Sequence, residues 1–111
     1  MLPKELRLPS IHIAPLMRHG KRVRNESMEI IFQKNQGGKR FAFIVSTKVD
    51  KRAAVRNRIK RLIREVVHRE LPHIADCVDA VVVVKAKTSE TYVTMKPVLF
   101  ALFGKAGLLT L

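Results

Sequence analysis

The sequence predicts an α/β (α+β) two-layer sandwich: a mixed sheet of about four strands with three helices, in the order αβββαβα. Three patterns carry that expectation. In Met28 to Lys34, residues Met28, Ile30 and Phe32 alternate with Glu29, Ile31 and Gln33, as in a strand. Apolar residues recur at helical spacing from about Ala53 to Leu71, and Val81 to Val84 form a β-branched run suited to a strand covered on both faces. The helices are expected on one side of the sheet, while strand order does not follow from pattern.

Taken in order, the first ten residues, with Pro3 and Pro9, read as an extended arm. Ser10 can cap a short helix carrying Ile13, Leu16 and Met17, which Pro15 limits and His19-Gly20 ends. Gly20 to Asn25 is a basic, edge-like segment, followed by the strand Met28 to Lys34 and a turn at Gln36 to Lys39. The next strand, Arg40 to Ser46, puts Phe41, Phe43 and Val45 on one face and Ala42 and Ile44 on the other. A long helix follows to Leu71, ended by Pro72, and its residues Val55, Ile59, Leu62, Ile63, Val66 and Val67 form one core-facing stripe. The strand Asp79 to Val84 should be central. After a connection over Lys85 to Thr91, Val93 to Lys105 forms the last helix with Val98, Leu99, Leu102 and Phe103 inward.

A chain of 111 residues fits one domain, 1–111, and its 47% apolar content argues against wholesale disorder. Lysine and arginine number 22 against nine acidic residues, a net charge of +13. All of that net charge lies in residues 1–69, so the partner expected is a polyanion, with nucleic acid ahead of an anionic membrane surface. No apolar stretch is long enough to span a bilayer, and the start Met1 to Arg7 has neither the apolar run nor the cleavage site of a secretory signal. With the single cysteine Cys77, this reads as a cytoplasmic chain without a disulfide framework.

The chemistry concentrates between Lys48 and Arg69, where nine basic residues face only Asp50 and Glu65. Arg56, Lys60 and Arg64 form an i, i+4, i+8 row opposite the apolar stripe, with Asn57 and Arg61 beside it and Arg58 at its margin. A charged helix face is ordinarily only solvated. Here, however, like charges at i, i+4 should destabilise the helix by a few tenths of a kcal/mol per pair, and the helix prefers arginine, whose planar fork suits phosphate. Both features favour nucleic-acid binding. A face this uniformly cationic, with Asn57 as the obvious base reader, suits the irregular phosphate surface of folded RNA better than sequence reading in duplex DNA.

The run Val45 to Glu65, centred on Arg56-Asn57-Arg58, resembles the signature of the protein subunit of bacterial ribonuclease P. Leu2-Pro3-Lys4 with Arg7-Leu8, His19 to Val23, and Asp79 leading into the valine strand resemble the same family in the same order. The resemblance implies a ribonucleoprotein that removes the 5′ leader of precursor tRNA, with hydrolysis by the RNA subunit and its bound Mg2+. It implies contact with ribonuclease P RNA through Arg56, Asn57, Arg58, Lys60, Arg61 and Arg64, with Lys48, Lys51 and Arg52 as neighbours. It also implies a left-handed βαβ crossover, and a cleft between the first helix and the sheet for the single-stranded leader. Where the family presents two aromatic residues to that cleft, this chain has Ile13 and Met17, which leaves leader binding more dependent on cations and on a strand aromatic such as Phe32. Thr47 replaces a common lysine.

Other chemistries find less support. His73 and Cys77 lack a second ligand pair at zinc spacing, His12, His19 and His68 read as surface or phosphate-neighbouring groups, and Asp76 with Asp79 reads as a turn. No protein nucleophile, small-molecule cofactor or Gly-rich phosphate loop is expected, and protein metal ligands stay unassigned. The other readings are a ribosomal or structural RNA-binding protein and, more distantly, a DNA-binding regulator.

Overall fold

The computed structural model describes residues 2–87 and 91–110. Helix α1 spans Ile13–His19, strands β1 Lys21–Arg24, β2 Met28–Lys34 and β3 Arg40–Val45 follow, then α2 Ala53–Arg69, β4 Val78–Val84 and α3 Tyr92–Lys105. The expected order αβββαβα is therefore present. The four strands lie in the order β1-β2-β4-β3, with β3 parallel to β4 and the other neighbours antiparallel. As the valine run predicts, β4 is internal, and Ala80, Val81, Val82 and Val84 have no exposed surface. Residues 85–87 continue from β4, and 88–90 of the expected connection lie outside the described residues.

Period-two alternation divides the core. Met28 and Ile30 of β2, Phe41 and Val45 of β3, and Val78, Ala80, Val82 and Val84 of β4 meet α2 and α3 on one face. Four aliphatic side chains of α2, Ile59, Ile63, Val66 and Val67, are buried there. Each contributes on the order of 1.5–3 kcal/mol, which outweighs the few tenths of a kcal/mol lost to each like-charge pair on the outer side. Burial decides that α2 forms. Thr91 caps α3, its hydroxyl accepting the Thr94 N–H.

Four expectations need correction. Helix α1 does not join the other two: Leu16 packs with Ile31, Val81, Val83 and Leu8 on the opposite face, with Ile13 and Met17 against them. Its start is a 3-10 turn over Ser10–His12, and Ser10 makes no capping hydrogen bond because Pro9 occupies the cap position. Nor is the N-terminal segment a free arm. It turns at Lys4–Leu6, bridges Arg7 to Phe41, and donates the Leu8 N–H to the Phe41 carbonyl at 2.9 Å. Leu2 joins the α2 side and Leu8 the α1 side, so the segment wraps the outer edge of β3. At the other end, α2 stops at Arg69 and Pro72 sits in a separate 3-10 turn, Leu71–His73.

Candidate nucleic-acid interface

The basic helix is positioned at its N-terminus by a compact clamp. Ser46 accepts the Lys48 N–H on its hydroxyl and the Val49 N–H on its carbonyl, and Val49 is buried as the anchor of the turn. Asp50 accepts the Arg52 N–H at 2.8 Å and the Arg52 guanidinium at 3.0 and 2.9 Å. The side-chain hydrogen bond from Arg52, with the backbone one, holds the Asp50 carboxyl well below the usual carboxylate range. Arg56 reaches back, its Nη1 donating to the carbonyls of Asp50 at 2.9 Å and Lys51 at 2.8 Å. Sequence reasoning places Arg56 in the binding row. The structure also makes it a brace for the loop that leads into α2.

The first turn of α2 carries no acidic residue to offset the positive end of the helix dipole. Among the described residues, Lys48, Lys51, Arg58, Lys60, Arg61 and Arg64 have no carboxylate partner. Asn57, Arg58 and Arg61 are exposed, and Lys60 and Arg64 are half-buried along their stems. A groove lined by Arg61, Arg64, Glu65 and His68 continues the surface toward the C-terminal end, where Glu65 pairs with Arg69 at 2.7 Å. Apart from the Glu65–Arg69 pair, the helix presents forked donors without internal anions, which is chemistry for phosphate.

The opposite face of the sheet holds the second candidate region. Ile13 and Met17 of α1, and Ala42 and Ile44 of β3, lie half-buried against the same cluster of Leu8, Leu16, Ile31, Val81 and Val83. Phe32 is not with them. It shares the face of Met28 and Ile30 and packs against the α2 and α3 core, because residues two apart in a strand point the same way. Ile31 is the β2 residue under α1.

Sequence reasoning missed Glu29. Its carboxylate is buried on the α1 side of β2 and meets Lys85 at 2.7 Å and Arg22 at 3.2 Å. Burial pushes its pKa up, but the hydrogen bonds and charges of Lys85 and Arg22 outweigh this and leave it lowered. Arg22 also donates to the Met17 carbonyl, tying β1 to the last turn of α1. The signal available was one carboxylate inside an otherwise apolar stretch. Asp79 is likewise engaged, forked by Arg40 at 2.8 and 2.9 Å, and Asp76 pairs with Lys39.

Among the described residues no three histidine, cysteine or carboxylate groups converge. Six carboxylates, Glu29, Asp50, Glu65, Glu70, Asp76 and Asp79, are each held by a cation. These residues do not fit a divalent ion held by the protein. No described helix is long and apolar enough to cross a membrane.

A family model described as Ribonuclease P matches residues 2–107. A ribonuclease P protein component from Synechocystis is 38% identical over 86 residues, covering 75% of this chain and 69% of that protein. One from Dictyoglomus turgidum is 32% identical over 112 residues, covering 96% and 93%. Among solved structures, the RNase P protein from Thermotoga maritima superposes with a TM-score of 0.79 at 28% identity, covering 89% of this chain and 96% of that one. The Staphylococcus aureus RNase P protein, 23% identical, shares the fold with a TM-score of 0.82 over 95% and 98%.

Proposed function

The chain belongs to the ribonuclease P protein family, and we propose that it meets the catalytic RNA of that enzyme through the outer face of α2. Membership makes it a subunit of an endoribonuclease, an RNA-binding protein serving precursor tRNA processing. The alternatives of a structural RNA-binding protein and a DNA-binding regulator give way to the family.

The observation that carries the reading is the set of α2 cations without internal anions. In this reading Lys48, Lys51, Arg58, Lys60, Arg61 and Arg64 contact phosphates, Arg52 and Arg56 hold the approach loop and present their remaining donors, and Asn57 offers the polar amide. Holding the helix rigid before the RNA arrives lowers the ordering cost of association. The single-stranded leader of precursor tRNA then runs on the other sheet face, against Ile13, Met17 and the half-buried Ala42 and Ile44. There Arg22 and Lys85 keep about half of their side-chain surface exposed even while paired with Glu29. Phe32 has no part in that path.

Hydrolysis belongs, in this reading, to the RNA, whose phosphates supply the oxygen ligands that Mg2+ prefers. The protein contributes counter-charge and alignment. It acts as one domain, 1–111, in the cytoplasm, with no membrane and no small-molecule cofactor.

The test is reconstitution. The purified chain with a bacterial ribonuclease P RNA should raise cleavage of precursor tRNA at low magnesium and lower the magnesium requirement. If cleavage and magnesium dependence match those of the RNA alone, the proposal fails.

A further inference from the structure

Beside the row of cations, a recess of about 230 Å³ opens at the outer edge of β3, lined by Leu2, Arg7, Leu8, Phe41, Ala42, Phe43 and Arg64. We propose that it receives one unpaired nucleotide of the catalytic RNA, with the base against Phe43 and the phosphate between Arg7 and Arg64. The inference rests on the reading of α2 as the RNA-facing helix and extends it to a specific subsite.

Four observations converge. The volume lies below that of ordinary drug-sized pockets, about 300–1,000 Å³, and suits a single base. Its apolar wall includes two phenylalanines in near-parallel stacking, centroids 6.4 Å apart and planes inclined by 16°, with Phe43 only partly buried. Arg7 enters from the N-terminal segment and Arg64 from α2, and neither has a carboxylate partner among the described residues. An aromatic surface beside guanidinium groups is the combination that binds an unstacked base and its phosphate.

The fourth observation concerns the backbone. Ser46 donates its N–H to Val84 of β4, whereas the Phe41 carbonyl accepts from Leu8 on the outer side. Alternation along β3 therefore turns the N–H and C=O of Phe43 outward, beyond the last residue that the N-terminal segment pairs. A donor and an acceptor thus stand at the recess, where a base edge can use both. Arg64 lines this recess and also the α2 groove, so the subsite is continuous with the cationic face.

The experiment measures equilibrium binding of the full chain to a bacterial ribonuclease P RNA across a salt series, together with nucleotide-resolution chemical probing of the complex. Phe43→Leu removes the ring and keeps the charge. It should weaken binding about tenfold with an unchanged salt slope and expose one or two adjacent nucleotides. Phe43→Trp should retain both affinity and protection. Arg7→Ala, at an exposed position, should expose the same nucleotides and reduce the slope by about one unit, and it carries the test if Phe43→Leu fails to fold. Wild-type affinity and protection in Phe43→Leu and Arg7→Ala, while Arg58→Ala weakens binding, would overturn the subsite alone. Undiminished binding in Arg58→Ala combined with Arg61→Ala would overturn the α2 reading and the subsite with it.

Discussion

Three cations on or beside the sheet and four in the middle of α2 are used in opposite ways. Arg22 of β1 and Lys85 just after β4 converge on buried Glu29, and Arg40 of β3 forks onto Asp79. Even Lys96 of α3 meets Glu70 at 2.9 Å. In the middle of α2, by contrast, Arg58, Lys60, Arg61 and Arg64 have no such anion among the described residues. The first three charges brace the fold through an internal carboxylate, and the four of α2 are left available to a partner of the kind proposed above. The ends of α2 mark the boundary, with Arg52 paired to Asp50 and Arg69 to Glu65.

The strongest way to break the comparison is to remove two unpartnered cations. Arg58→Ala with Arg61→Ala should weaken binding to ribonuclease P RNA by roughly 100-fold and flatten the log–log salt slope by about two units. Thermal unfolding should report stability within about 0.5 kcal/mol of wild type. Filter binding over a salt series and a melt of the same samples check both halves. A large loss of stability would place these arginines with the bracing set.

The converse substitution is Glu29→Gln. It leaves Arg22 and Lys85 without their shared anion, and because both are half-exposed the cost should be modest, about 1.5 kcal/mol, or roughly 5–10 °C in the unfolding midpoint. The salt slope of RNA binding should stay at the wild-type value. A further, smaller effect appears with pH. The folded pKa of Glu29 lies below its ordinary value of 4.5, so the unfolded chain binds more protons in that window. The contribution of Glu29 is therefore complete above about pH 5 and is lost as pH falls through the folded pKa. Denaturant melts from pH 6 to 3 should show a smaller decline in Glu29→Gln than in wild type. Smallest of all, Glu65→Gln removes the one carboxylate in the α2 groove, costing about 0.3–0.5 kcal/mol while tightening RNA binding about twofold.

What could be read in advance depended on how local the cause was. Strand β2 has the expected bounds, Met28–Lys34, and the stripe of α2 is buried as its spacing requires, because both rest on side-chain periodicity within one element. The insertion of β4 between β2 and β3 depends on pairing between distant segments, which alternation does not encode. Helix α1, only seven residues long, offers too short a stripe to choose a sheet face. The N-terminal segment misleads through Pro3 and Pro9, although Leu2 and Leu8 anchor it on two faces. For the candidate site, the cationic row was legible residue by residue. The bracing role of Arg56 was not, since it arises from carbonyls that only the folded loop brings within reach.

Gly20, at the junction of α1 and β1, has an ordinary extended backbone, so glycine is needed there for want of room. A Cβ would stand 2.8 Å from Ile31 Cγ2, Leu16 Cδ1 and the Leu16 carbonyl oxygen. Any side chain there would act as a wedge, prising the short helix away from Ile31 and shifting Ile13 and Met17 relative to the sheet. The seating of α1 on the sheet is thus set by a missing atom, and Gly20→Ala would shift it without altering any charged side chain.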